Sequence, residues 1–173
     1  MSVDVLQEKI RKTKNPSVVV FEAFPDWIPP QFLEGSGEIE AYEKLYMQLL
    51  SGLKGYVGAV RFGFGSFALL GAEGITLLKK LLQEAKQQGY YVILDAPPVG
   101  IVTDAAVLAP KVSGIILVVR QGQTRYEEID DAIQKIKIAN GNIVGFVLTD
   151  ANVEKKNYSG YASGATVSSQ REK

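Results

Sequence analysis

The groups able to do chemistry in this chain are carboxylates, hydroxyls and a few placed cations, because its 173 residues include neither histidine nor cysteine. That removes the usual general base near neutral pH, the thiolate nucleophile, the disulfide and the commonest metal ligand. Arg61 lies in an apolar run, Tyr56 to Phe64, that reads as a strand. Open α/β sheets hold ligands at strand ends, so Arg61 is a candidate anion contact, in competition with a surface ion pair. Glu127, Glu128, Asp130 and Asp131 form an acidic cluster in which 127 and 131 share a helix face; a solvated first turn favoured by the helix dipole accounts for it. Gly63-x-Gly65 and Gly71-x-x-Gly74 come nearest to a phosphate-cradling loop. Neither is followed by Lys-Ser/Thr, and both read as turn chemistry. Trp27 with Phe24, Ile28 and Phe32 reads as a loop packed over the core, and Tyr42 and Tyr46, at helical spacing, read as core.

These residues need a scaffold, and the hydrophobic pattern supplies one. Val5, Leu6 and Ile10 fall near helical spacing before Asn15-Pro16 ends the helix. Ser17 to Ala23 is a β-branched run typical of a buried strand. Prolines 25, 29 and 30 then predict a loop, closed by Gly35-Ser36-Gly37. Apolar residues at three- and four-residue steps predict helices over Glu38–Leu53, Ala72–Gln88 and Tyr126–Ile138, and Gly89 stands at a C′ position. Further strands are predicted at Tyr56–Phe64, Tyr90–Asp95, Gly114–Val119 and Ile143–Leu148. Thr103 or Asp104 can cap a short helix carrying Ala105, Ala106 and Leu108.

Five apolar strands alternating with helices predict a three-layer α/β domain over residues 1–150, with a mostly parallel, open, Rossmann-like or P-loop-like sheet. The length falls short of the roughly 250 residues of a closed eight-stranded barrel. Beyond Asp150 the composition turns to Lys, Asn, Ser, Gly and Tyr, and residues 151–173 read as a flexible tail. Nineteen basic and nineteen acidic residues cancel, which gives no overall pull toward nucleic acid or anionic lipid. The N-terminus lacks the apolar core of a signal peptide, and apolar runs are strand-sized. A cytoplasmic protein without membrane insertion is expected.

Residues 1–95 resemble the first part of orotidine 5′-monophosphate decarboxylase and its bacterial paralogues. The resemblance rests on LQEKIRKTKNPSVVVFEAFPDWIPPQFLE, YVGAVRFGFGSFALLGAEGI and AKQQGYYVILDA. It implies a ribose-gripping carboxylate near Glu22, a lysine where Arg61 stands, and Asp-x-Lys-x-x-Asp at the third strand end. Here that end reads Asp95-Ala96-Pro97-Pro98-Val99-Gly100, without the proton-donating lysine. A relative in pyrimidine biosynthesis, with at most weak nucleotide or phosphate binding, is the alternative reading it implies.

Residues 91–161 resemble the kinase domain of bacterial capsular and exopolysaccharide tyrosine autokinases, a P-loop family. VILDAPPVGIVTDAAVLAPKVSGIILVVRQGQT and IVGFVLTDANVEKKNYSGY carry this resemblance. It implies that Asp95 helps hold magnesium beside ATP, that Thr103 and Asp104 lie on the same side, and that Tyr158 and Tyr161 are phosphoacceptors. Thr149 stands where the family has asparagine, and the chain contains no Gly-x-x-x-x-Gly-Lys-Ser/Thr. Mg-ATP would therefore be a cofactor only if a partner supplied the phosphate loop. The implied partners are a membrane polysaccharide chain-length regulator or an active kinase, with homo-oligomerisation as a further expectation. Together the halves read as a composite, joined at YYVILDAP: a catalytically incomplete autokinase-like module linked to exopolysaccharide synthesis.

Overall fold

The structure, a computed structural model, describes residues 3–99 and 104–151. Thr103 and the expected tail from residue 152, with Tyr158 and Tyr161, lie outside the described residues.

Helix α1 (Val3–Thr13) ends where Lys14 takes a left-handed φ of 53°. The Asn15 side chain then accepts the Ser17 N–H at 2.9 Å, a local turn that turns the chain into β1 (Val18–Phe21). β1 is shorter than its apolar run because side chains take over the backbone beyond Phe21. The Ala23 N–H donates to Ser66 Oγ at 2.9 Å, and the Tyr46 hydroxyl donates to the Glu22 carbonyl. After a 3₁₀ turn at Pro25–Trp27 and the single-turn helix α2 (Pro30–Leu33), the chain enters α3 (Glu38–Gly52). β2 (Ala59–Gly63) stops one residue earlier than expected, and Phe64 instead opens a short helix, α4 (Phe64–Ala68). Burial of Phe67 in the core accounts for this turn, which the glycines flanking Phe64 permit.

Helix α5 (Gly71–Gln87) closes as Gly89 predicts. Gly89 has φ +86°, its N–H donates to the Lys86 carbonyl at 3.0 Å, and the Tyr90 N–H reaches the Ala85 carbonyl at 3.0 Å. β3 (Tyr91–Asp95) follows, then α6 (Asp104–Leu108), β4 (Ile115–Arg120), α7 (Tyr126–Ile138) and β5 (Ile143–Thr149).

The architecture is mixed α/β, and every strand pair is parallel. Among the described residues, five strands lie in two sheets, ordered β1–β2–β3 and β4–β5. Pairing joins strands linked by consecutive strand–helix–strand crossovers and does not continue past Pro97-Pro98, which stop β3. The larger core lies where α3 and α5 meet the three-stranded sheet, and includes Phe21, Phe62, Tyr42, Tyr46, Leu77 and Leu81. Phe21 stacks on Phe62 at 5.0 Å and meets Tyr46 edge-on at 5.1 Å. A smaller core gathers Ala109, Leu117 and Ile136 between α7 and β4.

Tyr42 and Tyr46 are core residues, as their spacing predicts. The Trp27 group is split: Ile28 is buried and Phe32 half-buried, but Phe24 and Trp27 face solvent at 42% and 53% exposure. Ile28 takes the one inward position of the turn, which leaves the two rings to pack on each other.

Burial, then the carboxylates of Glu38 and Asp26, push the Tyr42 hydroxyl up from its ordinary value near 10 to about 12. The folded state thus holds this proton more tightly than the unfolded chain does. The stability it contributes is complete below pH 10 and disappears as pH rises toward 12. The denaturant midpoint should fall across that window, and Tyr42→Phe should flatten the fall. At pH 7 Tyr42→Phe should be neutral or mildly stabilising, because the buried hydroxyl has no hydrogen-bond partner. Leu81→Ala, in the same core, should cost about 2–5 kcal/mol in urea unfolding.

Candidate functional site

In a strand, successive side chains point to opposite faces, and in a parallel sheet residues paired across strands share a face. The register aligns Phe21 with Phe62 and Phe62 with Leu94, which form the core-facing row. The alternate positions belong to the other face: Val20, Arg61 and Ile93 in one row, with Gly63 and Asp95 two residues further on. Glu22, directly after β1, falls beside Gly63. Two carboxylates and one guanidinium are thereby brought to the carboxyl ends of three adjacent strands, although 34 and 39 residues separate Asp95 and Glu22 from Arg61 in sequence.

Arg61 Nη2 pairs with Asp95 Oδ2 and lies 3.7 Å from Glu22 Oε1. The planar fork of arginine suits this position between two carboxylates better than a lysine ammonium would. Gly63 makes the geometry possible: a Cβ there would fall 2.0 Å from Glu22 Oε2. Ser66, on α4, fixes Glu22 from below. Its hydroxyl lies 2.7 Å from Glu22 Oε2 and 3.0 Å from the Gly63 carbonyl, and accepts the Ala23 N–H. With one proton to give, Ser66 donates to either the carboxylate or the carbonyl at a time. A cleft of about 380 Å³ opens over Glu22, Gly63, Ser66 and Asp95, walled also by Gly65, Ala96, Pro97 and Pro98.

Of the residues expected to act, Asp95 and Arg61 meet here and bind each other. An anion at Arg61 would have to compete with two carboxylates, and a divalent cation at Asp95 would meet the guanidinium. Asp104 begins α6. Thr149 ends β5, where its hydroxyl contacts the Val119 carbonyl at 3.4 Å. The acidic cluster of α7 is structural as expected: Glu128 accepts the Arg125 N–H at 3.0 Å, and Asp131 pairs with Lys135 at 2.6 Å. Sequence reading missed Ser66 and the spacing role of Gly63. The signal available was a strand-ending Gly-x-Gly-Ser, in which small residues leave room for neighbouring groups.

Ser66→Ala should cost about 1–3 kcal/mol, because it strands a buried backbone N–H and a carboxylate oxygen. Arg61→Met should cost less, about 1 kcal/mol, because its pair with Asp95 is partly open to solvent. Urea unfolding of both variants checks the contrast.

No family model matches the chain, and no solved structure matches it. Among curated proteins, the tyrosine-protein kinase CpsD of Streptococcus agalactiae is 27% identical over 84 residues, 49% of this chain and 37% of that protein. CpsD of Streptococcus pneumoniae serotype 4 is 36% identical over 68 residues, 39% of this chain and 30% of that protein. The tyrosine-protein kinase ptk of Acinetobacter johnsonii is 28% identical over 80 residues, 46% of this chain and 11% of that protein. The chain thus spans about a third of the length of the CpsD proteins it matches. The decarboxylase resemblance of residues 1–95 has no counterpart among these relatives. Somewhat under half of the chain is similar to these bacterial tyrosine-protein kinases.

Proposed function

We propose that this chain is a kinase-related module of a capsular or exopolysaccharide system that does not itself transfer phosphate from ATP. Under this reading it acts as a substrate or interface partner of an active kinase, with Tyr158 and Tyr161 as phosphoacceptors. The observation that carries the reading is the Arg61–Asp95 pair. Asp95 is the carboxylate that the kinase resemblance assigns to magnesium, and here a tethered guanidinium holds it. The sequence adds that no glycine–lysine phosphate loop is present to cradle a triphosphate. Magnesium sites beside nucleotides share their ligands with substrate phosphates, so Asp95 alone would hold the ion weakly. A regulator embedded in the membrane and a cytoplasmic location fit the same reading; among the described residues no helix is long and apolar enough to cross a membrane.

Titration calorimetry should give a dissociation constant for Mg-ATP weaker than about 1 mM; a low-micromolar value overturns the reading. Incubation with an active polysaccharide tyrosine kinase should place phosphate on Tyr158 or Tyr161, read by mass spectrometry. Among the described tyrosines, Tyr56 and Tyr126 are 71% and 86% exposed and serve as internal competitors. Label confined to those two would overturn the acceptor assignment. Orotidine monophosphate should not be decarboxylated, because Pro97 occupies the position of the catalytic lysine. Turnover that disappears in Asp95→Asn would favour the decarboxylase reading instead.

A further inference from the structure

From Asn15 to Glu43 the chain contains no lysine or arginine, while it carries Glu22, Asp26, Glu34, Glu38, Glu40 and Glu43. Local cations answer three of these: Arg61 faces Glu22, Lys44 pairs with Glu40 at 3.5 Å, and Lys80 with Glu43 at 2.9 Å. Asp26, Glu34 and Glu38 make no ion pair among the described residues. The dipole of α3 favours Glu38 at its first turn, but Asp26 lies in a 3₁₀ turn too short to offer such help.

The same segment holds two aromatic rings out in solvent. Phe24 and Trp27 meet edge to face at 5.3 Å. Their exposure does not come from a loose loop. The Trp27 N–H donates to the Phe24 carbonyl at 2.9 Å and the Ile28 N–H to the Pro25 carbonyl at 3.2 Å, while Ile28 is plugged into the core. Pro25, Pro29 and Pro30 fix the backbone on either side. A rigid, exposed aromatic pair resembles the anchor of an interface more than the cover of a core. Asp26 lies between the two rings in sequence, exposed within the same 3₁₀ turn.

We propose that Phe24 and Trp27, in an acidic segment whose unpaired carboxylates include Asp26 and Glu38, form a docking surface for a lysine- or arginine-bearing segment of a protein partner. Charge complementarity selects this occupant. A cationic head over the indole face gains a cation–π contact, its aliphatic stem covers the rings, and the two carboxylates pair with neighbouring cations. A second copy docking by the same patch would set Asp26 and Glu38 against their own duplicates. Nucleic acid and anionic lipid are repelled by the same charges. The surface uses no residue of the kinase-like half, so it stands or falls independently of the function proposed above.

Trp27 is the sole tryptophan, which makes its fluorescence a direct reporter. The full chain is titrated with a short peptide alternating lysine and leucine, and with the same peptide bearing glutamate for lysine. The lysine peptide should produce a saturable change in Trp27 emission that weakens with added salt, and the glutamate peptide should produce none. Anisotropy of the labelled lysine peptide should show at least roughly tenfold weaker binding to Trp27→Ala and to the Asp26→Asn, Glu38→Gln double variant. Circular dichroism confirms that these surface variants are folded. The proposal is overturned if both peptides bind alike, if either variant keeps the parent affinity, or if sedimentation shows self-association that abolishes peptide binding.

Discussion

The parallel register of β1, β2 and β3 is the constraint on which the rest of this structure depends. One alignment, Phe21 with Phe62 with Leu94, sets two surfaces at once. On the core face it stacks aromatic rings under α3 and α5, where burying each such side chain contributes about 1.5–3 kcal/mol. On the opposite face it brings Glu22, Arg61 and Asp95 to one rim. A slip of one residue would exchange the two sets, burying charges and exposing rings. The charged rim is thus a consequence of the same pairing that builds the core.

Around that rim, small residues matter as much as charged ones. Gly63 leaves open the volume that the Glu22 carboxylate occupies, and Ser66 satisfies both that carboxylate and the backbone turning away from β1. The Tyr46 hydroxyl secures the Glu22 carbonyl from the core side. Glu22 is consequently held from several directions, while Arg61 and Asp95 remain more open to solvent. The rim joins a rigid anchor to an adjustable ion pair. This arrangement underlies both the quiet magnesium position proposed for Asp95 and the tolerance expected of Arg61.

The second sheet obeys the same pairing rule with a different outcome. β4 and β5 are parallel and joined through α7, which buries Leu117 and Ile136. Ile116, Val118, Val144, Phe146 and Leu148 nevertheless remain exposed among the described residues. Parallel strands are usually covered on both faces, which is why their sequences read as continuous apolar runs. Among the described residues, this strand pair is the exception, with apolar side chains open to solvent.

The sequence by itself determined the order and type of the main elements, because apolar periodicity is written locally. It marked Gly89 as a helix stop and Tyr42 and Tyr46 as core, since spacing along one helix is enough for that. Composition alone excluded histidine and cysteine chemistry. It could not reveal that Arg61 is held by Asp95 and faces Glu22, because that contact depends on strand register across residues 34 and 39 positions apart. Nor could it reveal α4, whose formation follows from burying Phe67 rather than from propensity in a glycine-flanked stretch. Apolar pattern also read Phe24 and Trp27, with Ile28 and Phe32, as a loop packed over the core. Only the tertiary structure decided among Phe24, Trp27 and Ile28, because one turn has a single inward position and Ile28 fills it.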